Sequence, residues 1–156
     1  MRPSLAIVLI LLGPWLHAQP LNRAGMAANL EHMKNFSAYF QLKKYPEAIA
    51  EFEKMNGRPE MPMHLLPDVA VAYDQIDQPK KSLAALQRVR EKHKETPQSG
   101  GLLIAVTKLE DNQAKIKDAK VKAEMSALLK VLPSREKLTE ETIARARKNS
   151  SATPPR

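Results

Sequence analysis

Two stretches of the chain carry the same apolar pattern 34 residues apart. Tyr39, Leu42, Ala48, Ile49, Phe52 and Met55 return as Tyr73, Ile76, Ser82, Leu83, Leu86 and Val89. Within each stretch the three- and four-residue spacings are those of one helix face. A helical hairpin of this length cannot bury its apolar face alone, so its repetition predicts hairpins stacked in series. The expected class is all-α: a short α-solenoid of two hairpins, whose surface exists to hold another macromolecule.

The turn residues place the helices. After a mobile leader (residues 19–26), Leu30, Met33, Phe36 and Phe40 predict a helix from Ala27 to Leu42. Lys43-Lys44-Tyr45-Pro46 turns the chain into a second helix, with its proline in the first turn where a missing N–H costs little. Ala48, Ile49, Phe52 and Met55 form the stripe of that helix, and Asn56-Gly57 stops it. Three prolines between Pro59 and Pro67 forbid regular helix there. A third helix is expected over Asp68–Ile76 and a fourth over Pro79–His93, closed by Pro97–Gly101.

These residues resemble the tetratricopeptide (TPR) repeat over about residues 29–96. In that family the second helix carries an aromatic, a small residue, an aliphatic and a Phe, as Tyr45, Ala48, Ile49 and Phe52 do here. In the second unit Ala70 and Tyr73 take the first-helix positions. The match is degenerate: Phe36 stands where the family has a small residue, Pro79 where it has an aromatic, and Ser82 where it has Ala. The resemblance implies a concave groove lined by first-helix residues. It places the groove at Leu30, Met33, Ser37, Phe40 and Gln41, then at His64, Val71, Asp74 and Gln75. One subfamily clamps a carboxylate with Lys and Asn on these faces; Met33, Ser37 and Asp68 here speak against that mode.

The end of a two-hairpin stack leaves an apolar face that a further element must cover. Residues 102–132 serve, either as one long capping helix or as a diverged third hairpin. Leu102, Val106, Leu109, Ile116, Ala119, Ala123 and Ala127 fall near one face of the single-helix reading. The helical domain is thus expected over residues 27–132. Pro133 ends it, a weak helix follows over Glu136–Lys148, and residues 149–156 read as a disordered tail.

The first 18 residues have the three parts of an export signal. Arg2 precedes the apolar run Leu5–Leu12, and Gly13-Pro14 breaks it before Leu16-His17-Ala18. Cleavage after Ala18 and release to the periplasm or outside the cell is the expectation; an uncleaved membrane anchor is the alternative. No apolar run approaches the roughly 20 residues of a membrane-spanning helix. The chain has no cysteine, which excludes a disulfide framework.

The net charge of +8 is uneven. Residues 19–97 hold 12 basic against 10 acidic side chains, and residues 98–156 hold 12 against 7. Lys115, Lys117 and Lys122 are therefore the candidates for weak contact with an anionic membrane or polymer. Nucleic acid is disfavoured, since no aromatic side chain follows Tyr73 to stack a base. The four histidines are scattered, Glu31-His32 lacks a second His four residues on, and no phosphate loop or nucleophile motif is present. No cofactor, metal or enzymatic activity is expected. The resulting expectation is an exported scaffold or adaptor that takes a protein or peptide partner in its groove. The alternative is an envelope-associated structural protein that binds an anionic surface through its basic C-terminal half.

Overall fold

The computed structural model describes residues 23–55, 62–95 and 100–151. The expected signal segment, the first part of the leader, the Asn56-Gly57 stop, most of the Pro97–Gly101 closure and residues 152–156 lie outside them. The described residues form an all-α fold with seven α-helices and no strand. In order these are α1 (Arg23–Gln41), α2 (Tyr45–Met55), α3 (Leu66–Gln75), α4 (Pro79–Glu95), α5 (Gly100–Asn112), α6 (Ala119–Val131) and α7 (Arg135–Ser151), with 3-10 turns at Met63–Leu65 and Gln113–Lys115. No described helix is long and apolar enough to cross a membrane.

The 34-residue offset recurs in the backbone. Lys43 and Asp77, the same distance apart, are the described non-glycine residues with positive φ, at 58° and 57°. The Lys43 N–H donates to the Phe40 carbonyl and Lys44 N–H to Tyr39; Asp77 N–H donates to Asp74 and Gln78 N–H to Tyr73. Both are helix ends closed by a left-handed residue whose neighbouring amides satisfy the last carbonyls. Each turn then feeds a second helix that brings a small residue to the closest packing. Ala48 and Ser82 are both fully buried. The Ser82 hydroxyl satisfies itself by donating to the Ala70 carbonyl at 2.7 Å, which is why a serine is tolerated there.

The hairpins pack in series: α1 on α2, α2 on α3, and α3 on α4. Residues 102–132 form a third hairpin rather than one long helix, with α5 against α3 and α6 against α4. The single-helix face is broken because residues 116–118 are extended and Asp118 caps a new helix, accepting from the N–H groups of Lys120 and Val121. That restart shifts the register. Val121, Met125 and Leu128 are buried in α6, whereas Ala119, Ala123 and Ala127 are exposed.

Three other expectations move at their edges. The first helix begins at Arg23, four residues early and inside the expected leader. The third begins at Leu66, with Pro67 accommodated in its first turn. The weak C-terminal helix extends through 17 residues, from Arg135 to Ser151, and so covers the start of the expected tail. It is anchored against α5 by Leu138, its buried apolar residue.

The core runs continuously from Phe36 in α1 to Leu138 in α7. At its centre is α3, in which every residue from Leu66 to Asp74 is buried because neighbouring elements surround it. By contrast α1 has a full packing interface only with α2. Phe36 holds that interface, fully buried with its ring 6.0 Å from Phe40 and 6.3 Å from Phe52.

A polar clamp adds to it. The buried Glu51 carboxylate of α2 takes His32 Nδ1 of α1 at 2.8 Å and the Lys54 ammonium on its other oxygen. The hydrogen bond from Lys54 and then that from His32 hold the Glu51 carboxyl below its ordinary value of 4.5, against the opposing effect of burial. A depressed carboxyl contributes stability that is present above its unfolded value and lost as pH falls through the folded one. The gap in urea midpoint between the parent chain and Glu51→Gln is therefore expected to be full above pH 4.5 and to narrow below it. A gap independent of pH would count against the clamp.

Candidate partner-binding cleft

One face of α1 borders an open cleft of about 470 Å³. Leu30, Met33, Ser37 and Gln41 of α1 line one wall, joined by Lys34 and Ala38. The 3-10 turn supplies His64 and Leu65, and α5 supplies Lys108. The wall residues recur at helical spacing over 11 positions, a stripe about 16 Å long. Leu30 is 51% exposed, a large apolar side chain left uncovered by the fold.

From Lys108 a polar chain links hairpins far apart in sequence. Lys108 Nζ donates to Asp68 Oδ2 at 2.5 Å, and Asn112 Nδ2 donates to Asp68 Oδ1 at 2.8 Å. Lys115 Nζ in turn donates to Asn112 Oδ1 at 2.7 Å and lies 5.9 Å from the centre of the Phe40 ring. Asp68 and Asn112 are buried, so these partners satisfy groups that would otherwise cost free energy to desolvate. Burial and then the Lys108 charge lower the pKa of His64, with Asp68 opposing, so the imidazole is neutral at neutral pH.

Five of the nine residues assigned to the groove therefore meet: Leu30, Met33, Ser37, Gln41 and His64. The other four do not line the cleft. Phe40 is partly buried, stacked on Phe36 and edge-on to Tyr45 at 5.8 Å. Val71 is fully buried and presents no surface. Asp74 is 3% exposed and accepts the backbone N–H groups of Lys117 and Asp118 at 2.7 and 3.0 Å. Gln75 donates to the Lys115 carbonyl at 2.6 Å. The third hairpin accounts for Asp74 and Gln75, whose polar groups are used to seat the turn between α5 and α6.

No family model matches the chain, and no curated protein or solved structure matches it.

Four lining residues were not anticipated. Lys34 and Ala38 follow Leu30 at four-residue steps and share its face, so the signal was present in the periodicity. Leu65 and Lys108 had none. Lys108 bonds a buried carboxylate 40 residues away. Of the lysines assigned to an anionic surface, Lys115 bonds Asn112, Lys117 Nζ reaches the Gln75 carbonyl at 3.4 Å, and Lys122 is exposed on α6. The described residues hold no group of three or more His, Cys, Asp or Glu placed to share a metal ion.

Proposed function

We propose that the chain is a small exported scaffold that binds a protein or peptide partner in the cleft beside α1. The supporting observation is the cleft itself: a helix face of three turns, apolar at Leu30, Met33 and Ala38, bordering an open groove, with Leu30 left uncovered. A helix face left in this state gains most by accepting an apolar stripe from another chain. The TPR-like spacing and the export signal supply the rest of the reading.

Leu30 is the residue to change, because its exposure separates binding from folding; a polar group at the fully buried Val71 would disrupt the core instead. Leu30→Asp is expected to abolish affinity capture of the main partner, detected by mass spectrometry, while circular dichroism is unaltered. Reversal of Lys115, Lys117 and Lys122 to Glu should instead slow association and weaken it at low salt. Capture indifferent to Leu30 and lost on lysine reversal would favour the anionic-surface protein.

Export has its own check. Intact mass of protein recovered outside the cytoplasm should show a chain beginning at or near Gln19. Since Trp15 is the sole tryptophan, that species should emit as tyrosine only. Tryptophan emission from the exported protein would point to the uncleaved anchor.

A further inference from the structure

We infer that the partner seated in this cleft is an acidic amphipathic helix of about three turns, with carboxylates on both sides of its apolar stripe. The inference rests on the cleft being a docking site and specifies what it takes.

None of the nine side chains lining the cleft is acidic, while α1 and α5 each supply a lysine to it: Lys34 and Lys108. Lys34 is exposed. Lys108 gives one donor to Asp68, and an ammonium has three, so it can serve a second carboxylate. Between the lysines the surface is apolar at Leu30 and Met33 and small at Ser37 and Ala38, which lets a second helix approach closely. The α1 stripe is about 16 Å long, matching a helical ligand of about 11 residues. Such a ligand places apolar residues at i, i+4 and i+7 between the walls and acids on either flank, where each meets a lysine. A basic helix would bring like charges together on both walls.

The test uses three fluorescein-labelled, C-amidated 16-residue helical peptides with one Leu stripe and flanks of Glu, Gln or Lys. Amidation removes the terminal carboxylate, so side-chain charge alone is compared. Anisotropy titrations of the purified chain at physiological salt are expected to rank Glu above Gln above Lys, with about tenfold or more between the first and last. Lys34→Glu, on an exposed position outside the core, should weaken the Glu peptide and strengthen the Lys peptide. If the Gln peptide binds as tightly as the Glu peptide, the acidic specificity is overturned and the cleft reading survives. If none of the three binds, or if Leu30→Asp leaves all titrations unchanged, the cleft reading falls with it. Phosphatidylserine-containing vesicles that bind the chain and displace the Glu peptide, with Leu30→Asp abolishing both, would overturn a peptide as the occupant in favour of a lipid surface.

Discussion

Phe36→Ala is expected to destabilise the chain by about 3–5 kcal/mol. Phe36 is fully buried between two aromatic rings, and the void left by its loss lies in the one broad interface that holds α1. No other described helix packs broadly on α1 to close the gap, so the region can respond by opening. Hydrogen exchange should show loss of protection through α1 first, with α3 and α5 protected to higher denaturant. Phe36→Leu keeps most of the buried volume and should cost about 1–2 kcal/mol. Uniform loss of protection across all helices, or equal midpoints for the two variants, would contradict an end helix held by this side chain.

The second large effect is at Asp74. Its two carboxylate oxygens separately accept the amides of Lys117 and Asp118, the turn that starts α6. Asp74→Ala leaves two amides without their acceptor and is expected to cost about 2–4 kcal/mol, since each hydrogen bond to a charged group is worth about 1.5–3 kcal/mol and water recovers part of it. Asp74→Asn keeps one acceptor oxygen and should fall between. The amide exchange of Lys117 and Asp118 is the specific readout: fast in Asp74→Ala, with α1 and α2 unaffected. Unchanged exchange at those two amides would remove Asp74 from this role.

Much of the fold was legible because it is written in local periodicity. The stripe Ala48, Ile49, Phe52 and Met55 is buried as its spacing requires, and Pro46 and Pro79 open helices where a proline can. The third hairpin was readable in part. Asp118 carries an ordinary N-cap signal, but the charges from Glu110 to Lys122 obscured it, and the alanines invited a longer helix. What stayed hidden is non-local. Asp68 to Lys108, Gln75 to Lys115 and Asp74 to Lys117 span 40 or more residues, and no short-range pattern marks such pairs. The groove assignment failed at Val71 for the same reason: the spacing within α3 gives its faces, not the number of neighbours that will cover them.

The isolation of α1 changes what a ligand would do to the molecule. α1 packs broadly only on α2, and an end element held by one such interface opens before the middle of the chain. A ligand lying between Lys34 and Lys108 would add a second tie from α1 to the third hairpin, beside the one Lys115 makes to Phe40. Breaking away the end would then require breaking the ligand contacts as well. Occupancy should raise the opening free energy of α1 toward that of the whole chain and sharpen unfolding toward one step.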